Sequence, residues 1–346
     1  MFLGLKRAIW ILAISAVSSS VYAQDVDAPS FIAAVPLERG SPVYPGIELI
    51  NANSGMAEIE LMIDTDGRVF APIVLRSTAT RFENAALLAL KDYVYKPAMF
   101  NGESVKSRTS IRISFLIEGE AEGVNRRFSR MFKRVTNELD AAEPNLSRID
   151  KSMVSMLADG SLSSYALARY NLLGLRVAIA FGDLPEQIEA TRKLLMFDQR
   201  VSIKNRTLNA NTLKSVRYSL FHSLLSTQRY AEALELYTEM KEADQSEDPN
   251  LESMVAKIQQ LRQSDAQSVI DINIGARGYS VEHLLKHSIS IVDVDGTVTS
   301  LKFRCERKFK ELPFSAESDY RLPKSWGGCL LEIVGEPGTV AKLVQY

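Results

Sequence analysis

The hydrophobic spacing of this chain changes twice, and that alone excludes a fold built from one kind of element. Up to about residue 118 the apolar residues follow strand and helix spacings in turn. From about 119 to 267 they keep a helical spacing almost throughout, and from 268 to 346 they return to strand-like alternation. Such a pattern predicts an α+β protein of several modules. The 346 residues allow two or three hydrophobic cores. With 41 basic against 42 acidic residues, the formal net charge of −1 leaves no electrostatic footprint for nucleic acid or anionic lipid. Counts of 18 Gly and 12 Pro leave no room for a long flexible or Pro-rich tether.

Residues 1–23 read as a signal peptide. Lys6 and Arg7 precede an apolar run from Ala8 to Val17, then Ser18 to Ser20 and a cleavage pattern Val21-Tyr22-Ala23 ahead of Gln24. The apolar core is too short to cross a hydrocarbon layer of about 30 Å comfortably. Export by a cleaved signal is therefore expected, the alternative being an uncleaved anchor from Ile9 to Tyr22. In an oxidising compartment the two cysteines, Cys305 and Cys329, are expected to pair as a disulfide. Closing that loop is worth about 3 to 3.5 kcal/mol in the chain-entropy model.

Residues 24–40 read as an extended arm carrying Pro29 and Pro36. In the next unit, Met56 to Ile63 alternates, with Ala57, Ile59, Leu61 and Ile63 on one face and Glu58 and Glu60 on the other, which predicts one buried and one wet face. Asp64-Thr65-Asp66-Gly67 turns the chain into a second strand, Val69 to Leu75. Thr80 with Glu83 reads as a capping box opening a helix with the stripe Phe82, Ala85, Ala86, Ala89, Leu90 and Tyr93, which Lys96-Pro97 should stop. After a loop at Asn101-Gly102, a third strand places Ile111, Ile113, Phe115 and Ile117 on one face and Ser110, Arg112, Ser114 and Leu116 on the other.

The helical stretch contains a hairpin from Leu172 to Leu195 broken at Gly182-Asp183-Leu184-Pro185. Further on, Leu220, Leu224, Tyr230, Ala233, Leu234 and Tyr237 resemble the helix pair of a tetratricopeptide unit, with Phe221 where that family carries a small residue. In the last part Val269 to Ile274, His287 to Val294, Thr297 to Arg304, Cys329 to Gly335 and Val340 to Gln345 read as strands, with turns at Asp295-Gly296 and Pro337-Gly338. The run Val292 to Val298 echoes Ile63 to Val69, as a shared hairpin would.

Residues 41–118 resemble the C-terminal domain of the TonB family of energy transducers. The resemblance rests on Pro42-Val43-Tyr44-Pro45, the hairpin Ile63 to Val69, Ser77, Phe82 to Leu87, Tyr95-Lys96-Pro97-Ala98 and Ile111 to Phe115, in that order and spacing. It implies a small sheet and helix that bind the N-terminal box of an outer-membrane receptor as an added strand. The receiving edge would be the third strand, through Ser110, Arg112, Ser114 and Leu116, with Tyr44 and Pro45 lining the approach. It further implies a periplasmic location, with inner-membrane anchoring and membrane contact only if the N-terminus stays uncleaved, and envelope proteins such as TonB-dependent receptors as partners. The chain departs from a transducer in having no long Pro-rich tether before this domain and some 220 residues after it.

Chemistry-bearing patterns are sparse. His283 and His287 at i, i+4, with Glu282 beside them, can share a helix face as metal ligands, but no third ligand stands at readable spacing and a packing role is expected. His222 reads as a core residue, and Asp64, Asp66, Asp293 and Asp295 as tight-turn residues lacking the rest of a calcium loop. There is no G-x-S-x-G, no phosphate-cradling loop and no dinucleotide fingerprint, so neither an enzyme nor a cofactor is expected. The expectation is thus a noncatalytic, exported, strand-accepting protein. The alternatives are an anchored transducer of the TonB type and a periplasmic enzyme with its site between Ser268 and Tyr346.

Overall fold

A computed structural model describes residues 30–117, 124–158, 163–197, 208–244, 248–316 and 318–346. The signal peptide, its anchor alternative and residues 24–29 of the arm lie outside the described residues. The fold is mixed α and β: a small β/α module, then helices, then a β-rich region.

In the first module the arm forms two short strands, β1 (Phe31–Ile32) and β2 (Val35–Glu38), ahead of a one-turn helix α1 (Gly46–Ile50). Strands β3 (Gly55–Ile63) and β4 (Val69–Ser77) make the hairpin expected from Asp64 to Gly67. Asp64 Oδ1 accepts from the amides of Asp66 and Arg68, and Gly67 takes φ +83. Helix α2 (Thr80–Ala89) buries Phe82, Ala86 and Ala89 against the odd-numbered residues of β3, as its apolar stripe predicts. Its N-cap is Ala79, not Thr80, and Glu83 bonds Ser77 Oγ in place of closing a capping box. The helix also stops well before Pro97, passing through a 3-10 turn at Leu90–Asp92 into β5 (Val94–Lys96), because Tyr93 and Tyr95 are drawn into the core. The loop at Asn101-Gly102 is the turn of a further hairpin, β6 (Ala98–Phe100) with β7 (Glu103–Val105). The third strand, β8 (Ser107–Phe115), starts three residues earlier than expected and pairs with β3, giving the order β4-β3-β8.

Seven further helices follow among the described residues: α3 (Arg126–Leu139), α4 (Leu146–Leu157), α5 (Ser164–Phe181), α6 (Leu184–Leu195), α7 (Ala210–Ser226), α8 (Tyr230–Asp244) and α9 (Pro249–Gln263). Side-chain caps from Asn125, Asn145, Ser163, Asp183, Asn209 and Asp248 start six of them. Gly182, at φ +68, ends α5 where the hairpin break was expected. Phe221 is fully buried among Leu220, Leu224, Ala233 and Leu236. His222, the next residue of α7, is exposed, which corrects its reading as a core residue: one step along a helix moves a side chain about 100° around the axis.

The β-rich region comprises β9 (Ser268–Asn273), β10 (Tyr279–His283), β11 (Ser288–Asp295), β12 (Val298–Cys305), β13 (Phe309–Pro313), β14 (Asp319–Arg321), β15 (Cys329–Gly335) and β16 (Val340–Gln345). They form two four-stranded antiparallel sheets, β10-β15-β12-β13 and β14-β11-β16-β9, around one core that includes Ile270, Ile291, Leu301, Phe303, Leu331 and Leu343. Because β11 and β12 belong to different sheets, Asp295-Gly296 carries the chain between layers and is not a second copy of the first hairpin. His283 ends β10 and His287 lies just before β11, so the two do not share a helix. Cys305 and Cys329 are bonded, at directly opposite positions of β12 and β15.

One expectation fails in an informative way. The Glu58 and Glu60 face of β3 is not wet: Met56 and Met62 are buried and Glu60 is 3% exposed. Met56 packs among Leu194, Met196, Phe197, Leu213 and Val216 of the helical region. Alternation signals which residues share a face, but not whether a distant module covers it.

Candidate functional site

A three-stranded sheet has two edges, and here their backbone groups meet different fates. The amide of Thr78 donates to the carbonyl of Met56 at 2.9 Å, so Met56 turns its backbone toward β4. By alternation Ala57 and Ile59 turn toward β8, where they face Ile113 and Ile111. The amides and carbonyls of Ser110 and Arg112 therefore point away from β3. Among the described residues no backbone hydrogen bond ties Ser110 or Arg112 to another segment on that side.

The opposite edge is closed. Val74 faces Ile59 and so turns its own backbone outward from β4, where the Tyr279 hydroxyl donates to its carbonyl at 2.7 Å and accepts from its amide at 3.1 Å. Arg304, 1% exposed, donates to the carbonyl of Ala71 on the same edge while its Nε holds Glu332 at 2.8 Å. Arg277 reaches from the β-rich region to Glu83 and Ser77 beside the start of α2; burial opposes ionisation of Glu83, yet the hydrogen bonds from Arg277 and Ser77, with the Arg277 charge, together hold its carboxyl below its usual range.

The residues expected to bind a partner fall around β8. Ser110 and Arg112 are exposed, Ser114 is half-buried, and Leu116, just past the strand, is exposed. Arg112 also sends one guanidinium nitrogen toward the Met196 carbonyl, at 3.4 Å. The Tyr44 hydroxyl donates to Asn53 O at 2.6 Å and its ring stands edge-on to Phe82 and Phe115. Tyr44 thus closes the helix-side core at the far end of β8, with Pro45 capping α1 behind it.

Beneath β8 the side chains of Glu58, Glu60, Arg108 and Arg112 meet Arg192 of α6, Glu232, Glu235 and Glu239 of α8, and His283 of β10 around a cavity of about 340 Å³. Burial pushes Glu60 up to about 7, partly opposed by Arg108, Arg304 and His283. Glu60 Oε1 lies 3.8 Å from Arg108 Nε, beyond hydrogen-bond reach, and has no hydrogen-bond partner among the described residues. His283 Nδ1 stands 3.0 Å from Glu235; burial would lower its pKa, but Glu235 and Glu232 together raise it. Burial likewise opposes ionisation of Glu232, yet the paired Arg192 guanidinium, helped by His283, holds it down to about 2. Sequence reasoning missed Tyr279, Arg304, Glu235 and His283 as parts of this site, since the contacts joining them to the small sheet span many tens to more than two hundred positions of chain.

A second cavity, of about 1360 Å³, lies between the small sheet, the helices and the β-rich region. It gathers Asp271, Glu282, His283 and Asp293, the acids and histidine on which an enzymatic site in the last module would depend. Two of the acids are engaged structurally, Glu282 with Arg229 and Asp293 with Lys342. Among the described residues no group of three or more His, Cys, Asp and Glu is placed to hold a metal ion, and no helix is long and apolar enough to cross a membrane.

The geometry defines a small α+β module that offers one open strand edge, fused to helices and a β-sandwich that close the other. Residues 40–117, the span of this module, match the family model of the Gram-negative bacterial TonB protein C-terminal. The match covers under a quarter of the chain. Domains of this family bind the TonB boxes of receptors and are not enzymatic. The chain is also similar to the solution NMR structure of the Pseudomonas aeruginosa TonB C-terminal domain, at 25% identity over 25% of this chain and 90% of that one, with a TM-score of 0.23. No curated protein matches the chain.

Proposed function

We propose that the protein is a noncatalytic, exported binding protein of the cell envelope, which accepts an extended segment of a partner, such as the box of a TonB-dependent outer-membrane receptor, as a fourth strand on β8. The observation that carries this reading is the asymmetry of the two edges. Tyr279 and Arg304 occupy the outward backbone groups of β4, whereas those of Ser110 and Arg112 are left to an incoming chain. Strand addition draws affinity from main-chain hydrogen bonds, and a three-stranded sheet with one closed edge admits it from one side only. The partner-binding residues in this reading are Ser110, Arg112, Ser114 and Leu116, with Tyr44 and Pro45 at the far end of the strand. The helices and sandwich bury the sheet's second face, so partner selection falls to the edge itself.

The test is titration of the full chain with synthetic peptides copied from the N-terminal boxes of TonB-dependent receptors, read by hydrogen exchange. Binding should slow exchange at the amides of Ser110 and Arg112. Arg112→Pro removes an outward amide without touching the β3 ladder and should abolish that binding while the circular dichroism stays native. Unchanged peptide affinity in this variant would sink the proposal.

A further inference from the structure

Three strand edges border the 1360 Å³ cavity, and only two of them are closed. On β4, Tyr279 occupies both backbone groups of Val74. On β9, the Val269 amide donates to Gln228 Oε1 at 3.0 Å and the Asp271 carbonyl accepts from Arg229 at 3.2 Å, both from the α7–α8 connection. The third edge is β10. There the Leu284 amide donates to the Cys329 carbonyl and the Gly335 amide to the Gly278 carbonyl, which places even-numbered residues in the ladder with β15. Tyr279, Val281 and His283 therefore turn their amides and carbonyls into the cavity. None of these backbone groups has a hydrogen-bond partner among the described residues, although no residue of β10 is exposed.

Half-buried backbone groups without partners are uncommon in native proteins, and a row of them along a strand edge matches one chemistry, that of another extended main chain. We propose that this cavity is a second strand-accepting site, in which an extended peptide segment from another protein pairs with β10 through Val281. The five residues of β10 set the length of the paired stretch at five residues, about 17 Å. Charge plays a small part in selection, because the ionic residues closest to this edge are already matched: Glu282 with Arg229, and Arg192 with Glu232. Recognition is then chiefly by main chain, with Val74, Ile188 and Val269 offering apolar contact to alternate side chains. This site shares no backbone group with β8, and one partner with two extended segments can occupy both.

The experiment selects peptides from a phage-displayed library of random 12-residue sequences on the full chain and sorts them by variant. Val281→Pro deletes an outward amide and leaves the β10–β15 ladder intact, whereas Arg112→Pro does the same on β8. A class of peptides that loses at least tenfold in affinity on Val281→Pro and none on Arg112→Pro is expected, and it should slow exchange of the Val281 and His283 amides. Gly275→Trp provides a second route should Val281→Pro unfold, since Gly275 lines the cavity, a Cβ there meets nothing within 4 Å, and the indole would take up space that a bound peptide needs. The same peptides should be lost. The proposal is overturned if every selected peptide depends on Arg112 alone, or if peptides sensitive to Val281→Pro bind Gly275→Trp normally and leave the β10 amides unprotected.

Discussion

The hydroxyl of Tyr279 and the backbone of Val74 meet twice, the oxygen donating to the carbonyl at 2.7 Å and accepting from the amide at 3.1 Å. One side chain from the β-rich region thus does for the edge of β4 what a neighbouring strand would do. Removing the hydroxyl leaves two backbone groups of the buried Val74 unsatisfied, a cost of about 1–3 kcal/mol. Tyr279→Phe is therefore expected to lower stability by that amount, measured by urea unfolding. It should also speed exchange of the Val74 amide above all others. An exchange pattern unchanged at Val74 would mean that the edge is closed by something else.

The cluster beneath β8 predicts how stability varies with pH. Glu60, pushed up to about 7 by burial, binds its proton more tightly folded than unfolded, and so does His283, whose pKa Glu235 raises against burial. Their contributions are fully present below the unfolded values and are lost as pH rises, for Glu60 between about 4.5 and 7 and for His283 from 6.5 upward through its folded value. Glu232, held down to about 2, acts in the opposite sense: its contribution is present above 4.5 and is lost as the solution is acidified toward 2. The urea midpoint should thus peak near pH 5 and decline toward pH 8. Glu60→Gln should remove the part of the decline between 4.5 and 7, up to about 3 kcal/mol at pH 8. A profile identical to that of the unaltered chain would exclude Glu60 as its source.

Gly67 carries two constraints at once. It takes φ +83, and a Cβ there would stand 1.9 Å from the Tyr95 carbonyl oxygen, in a turn whose own carbonyl accepts from the Tyr95 amide at 2.8 Å. Backbone strain at such a position costs about 1–3 kcal/mol, and the clash adds to it because the obstacle is main chain. Gly67→Ala should lower the thermal midpoint by more than Gly102→Ala. That second glycine also has positive φ, but a Cβ there would meet open space.

Local elements of this fold are legible because each is driven by neighbouring residues. The alternation from Met56 to Ile63, the Asp64 to Gly67 turn, the stripe from Phe82 to Tyr93 and the Gly182 break all arise within a few positions, and the disulfide follows from having just two cysteines. What is not legible comes from contacts across the chain. Glu60 reads as solvent-facing until α8 and β10 are laid over it, and Tyr279 gives no sign in its surroundings that it closes an edge 205 positions away. The open edge of β8 was readable by family resemblance alone. Its counterpart on β4, closed by Tyr279 and Arg304, was not.

The disulfide provides the last prediction, because it ties the sandwich to the arm. Cys305 and Cys329 flank a tight connection in which Glu306 N donates to Gly328 O at 2.9 Å and Arg307 N to Trp326 O at 3.0 Å. That connection aims the Arg307 guanidinium over the ring of Phe100, at 4.8 Å, and toward Phe31 of β1, at 5.8 Å. Replacing both cysteines by alanine removes a cross-link worth about 3 to 3.5 kcal/mol. The loss should appear in two places. Global stability should fall by that amount, and exchange should quicken at Phe31 and Ile32, whose strand is two residues long and pairs, among the described residues, with β6 alone. Arg307→Ala separates the effects: with the disulfide kept, the arm should loosen while the global midpoint moves by about 2 kcal/mol or less, the scale of a partly desolvated cation–π contact and below the loss from the disulfide. If the arm stays protected in both variants, its hold on the molecule comes from β6 and not from the sandwich.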